Sequence, residues 1–300
     1  MSEYQFSVVI ATYNRPQLCV SAIDSILNAA RERYRVEIVV VDDASETPFP
    51  RLDNHHIKVL RQDKNAGPGP ARMRGIREAE GVFVLILDDD DQLRANAFET
   101  VSTRLAELSD CDWLVAQFAT SNACSKFEFQ WLKFDDYMSD RVSGDYTPVF
   151  HRERFLASDL SYPQTRLGGE HLLWWALSQQ VAIPTWNNVI VNVGDDASVR
   201  LTDVGSQVVR ANEHLALAES TWRQFGTLLK RAYPHQATRV SMGGVTYAVL
   251  AGHRFRAFPF LINLRSPSRI IMATAILVLP RKVVIKLFQR FRSGQLNSVD

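Results

Sequence analysis

Val82-Phe83-Val84-Leu85-Ile86-Leu87-Asp88-Asp89-Asp90-Asp91 is an apolar run that ends in four consecutive aspartates. The run is short, continuous and rich in β-branched and aromatic residues, so it reads as a buried strand. Four adjacent carboxylates repel one another and are poorly hydrated when partly enclosed. A divalent cation relieves both problems, and hard oxygen ligands suit Mg²⁺ or Mn²⁺, ions that bridge carboxylates to a substrate diphosphate. In an open α/β sheet, ligands bind at the C-terminal ends of strands. The expectation is a metal-bound diphosphate at this strand end; the alternative is a solvated acidic turn or helix N-terminus.

Working outward, strands alternate with helices. Phe6 to Ala11, Val36 to Val41, Ile57 to Arg61 and Trp113 to Phe118 read as strands. Gln17 to Ala30, Ala71 to Glu80 and Ala95 to Leu108 have helical periodicity, and Asn65-Ala66-Gly67-Pro68-Gly69-Pro70 is a loop by its Gly and Pro density. The pattern predicts an α/β fold with a mostly parallel sheet covered on both faces. The stretch from Thr120 to Pro163 is less regular and aromatic. Leu172 to Gln180 reads as a helix, Val189 to Val191 as a strand, and everything after about Leu201 as helical. Two regions are expected: 1–205, carrying the chemistry, and a helical 206–300.

Two further strand ends face the same rim. Tyr13, in Thr12-Tyr13-Asn14-Arg15-Pro16, could stack on a base. Asp43, in Val41-Asp42-Asp43-Ala44-Ser45, could accept a base N–H. Singly, these are a rim aromatic and a turn with an Asx cap.

Together the segments resemble the family 2 glycosyltransferases with the GT-A fold, bacterial enzymes that are inverting and dependent on nucleotide sugars. The resemblance rests on Val8 to Arg15, Val39 to Ser45, Asn65-Ala66-Gly67 with Ala71-Arg72, and Leu87 to Asp91, and extends over residues 6 to 200. It implies transfer from a nucleotide-diphosphate sugar, UDP- or dTDP-linked, with Mg²⁺ or Mn²⁺. It assigns Ala11, Tyr13, Arg15, Asp43, Arg72, Asp88 and Asp89 to the nucleotide, and Asp90 with Asp88 to the metal. Met73 departs from the family, which usually has Asn there. An inverting transfer needs a carboxylate to take the acceptor proton. The family places an acid at Gly168-Gly169-Glu170-His171, often as a Glu-Asp pair; here His171 replaces the second acid. Glu170 is the expected base, with His171 as the alternative. The competing reading is that Glu170 only caps the following helix. Asp195 or Arg200 could close over the diphosphate, or lie in a solvated turn.

Composition sets the remaining expectations. The chain has 300 residues, 46% hydrophobic and 22% charged, ordinary for a globular protein. Three cysteines without paired spacing and an N-terminus unlike a signal peptide suggest a cytoplasmic protein. The net charge of +1 hides a split: Thr221 to Val299 holds thirteen Lys and Arg and no acid. Ile270 to Leu279 is almost wholly apolar but too short to span a bilayer. Beyond it Val284, Leu287, Phe288 and Phe291 share one helical face, and Lys282, Lys286 and Arg290 another. That pattern predicts an interfacial anchor over about 266–292 on anionic lipid, hence a peripheral protein on the inner face of the plasma membrane. The alternative is a helix packed on the domain; nothing in the tail reads nucleic acid. The expected acceptor is then a saccharide or a lipid-linked saccharide. The rivals are a sugar-phosphate nucleotidyltransferase, which would normally show a Gly-rich phosphate loop after the first strand, and a non-catalytic membrane-bound nucleotide-binding scaffold.

Overall fold

The computed structural model describes residues 4–31, 33–124, 126–142, 144–194 and 204–296. It divides into two compact units, Met1–Ala197 and Ser198–Asp300.

The first unit runs β1 (Phe6–Thr12), α1 (Pro16–Ala30), β2 (Val36–Asp42), β3 (Ile57–Arg61), α2 (Pro68–Glu78), β4 (Phe83–Asp88), β5 (Gln92–Leu93), α3 (Ala97–Ala106), β6 (Val115–Thr120), β7 (Phe129–Leu132), α4 (Phe134–Met138), β8 (Tyr146–His151), α5 (Arg152–Leu156), α6 (His171–Gln180) and β9 (Ile183–Asn192). Among the described residues these strands form one sheet, ordered β3-β2-β1-β4-β8-β6-β9-β5, with β7 on β9. β3, β2, β1 and β4 are parallel. β8 enters antiparallel between β4 and β6, and β6 pairs parallel with β9. The sheet is therefore mixed, with the β3-β2-β1-β4 half wholly parallel.

Period-two alternation divides the apolar side chains between two layers. Val8, Ile10, Ile38, Val40, Leu85 and Leu87 pack with Ile23 and Ile26 of α1 and Phe98 and Val101 of α3. Val9, Val39, Val41, Val84 and Ile86 face the other way, onto Ala71, Met73 and Ile76 of α2 and Leu173 and Leu177 of α6. Met73 thus serves this core. Such strands are apolar on both faces, as a sheet covered on both sides requires.

The region that reads as irregular contains β8. Pro148 argues against a central strand because it cannot donate to a ladder. The structure accommodates it where the pairing with β4 has stopped: that register runs only from Phe83↔His151 to Leu85↔Val149.

The second unit is helical: α7 (Val204–Val209), α8 (Ala211–Ala232), α9 (Pro234–Leu250), a 3₁₀ turn (Arg254–Ala257), α10 (Phe258–Leu261), α11 (Pro267–Val278) and α12 (Arg281–Leu296). The apolar face expected to enter lipid through α12 is partly taken up inside the unit. Val284 is buried, and Phe288 packs edge-on against Tyr247 of α9. Among the described residues no helix is long and apolar enough to cross a membrane.

Candidate functional site

The parallel half of the sheet aligns three strand ends. Thr12 is in register with Asp42, and Ala11 with Asp88, so the first two strand-end loops and the acidic run share one rim. Asn14 clips the first two loops together. It adopts a left-handed φ of 57°, its N–H donates to Ser45 Oγ at 2.9 Å, and its Oδ1 accepts from the Glu46 N–H at 2.8 Å. Tyr13 stands exposed beside this clip.

The paired aspartates at the end of β2, Asp42 and Asp43, are buried and already hydrogen-bonded. Asp42 accepts from the Ser45 and Phe49 amides and from Arg61. Burial works against its charge, but these donors hold its carboxyl below the usual range. Asp43 accepts from the Ala66 N–H at 2.9 Å and the Gly67 N–H at 2.7 Å. It is the anchor of the Gly-Pro loop that leads into α2. Gly67 has φ +95°, and a Cβ there would lie 2.5 Å from Arg166 Cα. Only glycine suits that conformation and that approach.

The acidic run splits in two by alternation. Asp89 and Asp91 point inward and are nearly buried; Asp88 and Asp90 are more open. Asp89 accepts from Thr12 Oγ1 at 2.8 Å and pairs with Arg15 at 3.2 Å; Arg15 also reaches Asp90 at 3.1 Å. Burial pushes the Asp89 carboxyl up to about 6, with Arg15 opposing. Asp91 accepts from the Gly194 N–H at 3.0 Å. Burial, and then its negative neighbours Asp88, Asp90 and Asp145, push it up to about 7. Gly194 sits so close that a Cβ on it would lie 1.9 Å from the Asp90 carbonyl oxygen.

Arg72 joins the halves of the site. It projects from α2, is buried, and lies over the Tyr162 ring at 5.9 Å. One terminal nitrogen donates to Asp88 and the other to Glu170. Desolvation opposes its charge, but Asp88 and Glu170 outweigh that and hold its pKa well above the ordinary value. Glu170 is the residue just before α6, yet its side chain makes no capping hydrogen bond to that helix. The carboxylate turns to Arg72 instead. Arg72, Asp88, Asp91, Asp145, Tyr162 and Glu170 line one cleft with Thr120 and Tyr146. His171 is outside that lining; its ring packs edge-on to Trp175 at 5.1 Å, and burial lowers its pKa to about 4.

Of the residues singled out in the sequence, the cleft gathers Arg72, Asp88 and Glu170. Ala11, Tyr13, Arg15, Asp43, Asp89 and Asp90 lie on or beneath the rim, outside its lining. Asp195 and Arg200 lie outside the described residues. Sequence reasoning missed Asp145 and Tyr162. Asp145 follows Gly144 before β8, in the stretch that reads as irregular; partial enclosure, then Asp88 and Glu170, raise its pKa. Tyr162 reads as one aromatic among many, and only the fold places it under Arg72.

Among the described residues, no three His, Cys, Asp or Glu side chains are gathered as a metal cage. Mg²⁺ on a diphosphate normally takes one or two carboxylates and completes its shell from phosphate and water. Asp88 and Asp90 provide hard-oxygen donors of that kind and number. Among the described residues, Asp88, Asp89, Asp90, Asp91, Asp145 and Glu170 gather around two cations, Arg15 and Arg72, an excess of negative charge that suits a metal ion.

Residues 7–154 match the model of glycosyl transferase family 2. The succinoglycan biosynthesis protein ExoO of Rhizobium meliloti is 37% identical over 118 residues, 38% of this chain and 32% of that protein. The GalNAc(5)-diNAcBac-PP-undecaprenol beta-1,3-glucosyltransferase of Campylobacter jejuni is 29% identical over 57% of this chain and 58% of its own length. The chain therefore spans about a third and somewhat over half of these two relatives. The crystal structure of Staphylococcus aureus TarS 1-349 in complex with UDP-GlcNAc superposes with a TM-score of 0.56 at 16% identity, covering 97% of this chain and 92% of that one. That likeness speaks for the fold. Family match, relatives and topology agree: through residues 7–154 this chain belongs to glycosyl transferase family 2, and its mixed sheet is the GT-A fold.

Proposed function

We propose that the chain transfers a sugar from a nucleotide-diphosphate sugar to a hydroxyl of a saccharide or lipid-linked acceptor in cell-surface polysaccharide assembly, with inversion at the anomeric carbon. The observation that carries this reading is the single guanidinium of Arg72 held between Asp88 and Glu170. It supports the reading because it brings Asp88, from the acidic strand end, and Glu170, the proposed base, to one cleft. The relatives named above support the reaction class: one acts in succinoglycan biosynthesis and one is a glucosyltransferase on an undecaprenol-linked acceptor. The neighbour solved with UDP-GlcNAc supports a nucleotide-sugar donor.

In this mechanism Tyr13 and the rim beside Asp43 receive the base, and Arg15 and Arg72 provide positive charge for the diphosphate. Asp90, with Asp88, would hold Mg²⁺ or Mn²⁺, which when bound neutralises charge on the leaving diphosphate. Glu170 takes the proton from the acceptor hydroxyl as its oxygen attacks the anomeric carbon. The bond from that carbon to the donor phosphate oxygen breaks, and the nucleoside diphosphate leaves on the opposite face. Arg72 aims the Glu170 carboxylate into the cleft. With a lipid-linked acceptor the protein works on the cytoplasmic face of the membrane.

The test is to supply nucleotide sugars with Mn²⁺ and a saccharide acceptor. Release of nucleoside diphosphate and a glycosylated product is expected. Pyrophosphate release would point instead to nucleotidyl transfer, and nucleotide binding without turnover to a non-catalytic scaffold.

A further inference from the structure

Among the described residues, fifteen large apolar side chains are exposed, and eleven of them belong to the second unit, about a third of the chain. Scattered apolar residues on a surface are ordinary; a concentration of this kind marks an interaction face. Its centre is α11. A helix of a globular domain buries its apolar stripe. In α11 only Ala273 is buried, while Ile271 and Val278, seven residues apart and so on one face, are 70% and 77% exposed.

A second element continues this surface. Phe255, Phe258 and Ile262 follow at helical spacing and are 86%, 52% and 77% exposed. The Phe255 and Phe258 rings lie 6.3 Å apart with their planes inclined by 30°. Arg254, next to Phe255, donates to the carbonyls of Leu277 and Leu279 on either side of Val278. That clamp ties the aromatic turn to the end of α11.

We propose that α11 and the Phe255–Ile262 turn together form the face by which the second unit lies on an anionic bilayer, entering the headgroup boundary. Charge complementarity identifies the occupant. Arg265, Arg269, Lys282 and Lys286 are exposed around the apolar face, and no acid occurs anywhere from Thr221 to Val299. Polybasic segments are drawn to acidic lipid, and apolar residues ringed by Lys and Arg are the mark of an interfacial helix. A protein interface is depleted in Lys, and a groove that tracks nucleic acid has no use for exposed Ile and Val. The twelve residues of α11 extend about 18 Å, short of the roughly 30 Å of a bilayer core, so it lies in the interface and does not cross. This surface deepens the proposed reading, since it is where a lipid-linked acceptor would be met.

The test is sedimentation of the full chain with phosphatidylcholine vesicles, with and without phosphatidylglycerol. The wild type should pellet with the anionic vesicles, less at high salt, and stay in solution with the neutral ones. Phe255→Ser with Ile271→Ser changes exposed positions only, and should weaken partitioning about tenfold or more. Arg265→Glu with Arg269→Glu should do the same through charge. Both variants should retain wild-type circular dichroism and turnover on a soluble acceptor. Binding unaffected by either pair, or a wild type that ignores lipid charge, would overturn the proposal. So would a dimer in light scattering that the apolar variant makes monomeric, with no vesicle binding by either. Vesicle binding needs no donor, so it can fail while glycosyl transfer stands, and the reverse.

Discussion

The Glu170 carboxylate accepts from Arg72 rather than from the helix it precedes. This separates two roles that the sequence leaves open, a cap and a base. If Glu170 is the base, Glu170→Gln still offers an oxygen to Arg72 but cannot take a proton. Nucleotide affinity should stay within about twofold while kcat falls about 10²–10⁴-fold. Calorimetric titration with nucleoside diphosphate, beside steady-state kinetics, checks both; near-normal kcat would move the base elsewhere.

Asp90 is the least buried partner of Arg15, and its carboxylate faces outward from the acidic turn. Asp90→Asn should abolish the part of nucleotide-induced thermal stabilisation that depends on Mn²⁺. With Mn²⁺ present and nucleotide near 100 Kd, the whole stabilisation of the wild type is about 2.7 kcal/mol, and the variant should fall back to the value seen without the cation. A cation-dependent shift of wild-type size in the variant would remove Asp90 from the metal site.

Asp91 makes a prediction about pH. Its folded pKa is pushed up to about 7, against about 3.9 in the unfolded chain. Between these values the folded state holds a proton that the unfolded state lacks, so its contribution to stability declines as pH rises and is fully lost above about 7. Asp91→Asn keeps an acceptor for the Gly194 N–H and removes the charge. Without added cation, the variant should match the wild type near pH 4 and exceed it by up to about 4 kcal/mol at pH 8. Urea melts at the two pH values measure the difference; an equal difference at both would refute the assignment.

Asp43 uses both oxygens on the loop before α2. Asp43→Asn presents an NH₂ where one amide needs an acceptor, and should cost about 1–3 kcal/mol of stability even without nucleotide. If Asp43 acted on the base alone, the variant would lose affinity and keep its melting temperature.

The strand-end carboxylates were legible because they adjoin an apolar run whose length and composition set both a strand and its direction. The parallel half of the sheet was legible for the same reason: local alternation of strand and helix determines neighbours. The cleft's other wall was legible only in part. The resemblance singled out Glu170 and Arg72, but they sit far apart in sequence and no periodicity links one to the other. Asp145 is reached only through β8, whose Pro148 argues locally for a break. The second unit shows the opposite failure. The heptad-like pattern after Pro280 marks an amphipathic helix, but which residues it covers was decided by Tyr247 packing on Phe288, a contact that no spacing encodes.

The insertion of β8 between β4 and β6 also bears on the order in which the molecule assembles. β1 and β2 pair close in sequence, Phe6 with Val36, whereas β8 must pair Leu85 with Val149 and Ala116 with Val149 at once. Contacts this distant in sequence are slow to form because loop closure precedes their reward. The β1–β2 pair should therefore gain protection before the β4–β8 junction and the wall carrying Asp145. Pulse-labelled amide exchange during refolding should find β1 and β2 protected before β8; simultaneous protection would mean that the sheet forms as one cooperative unit.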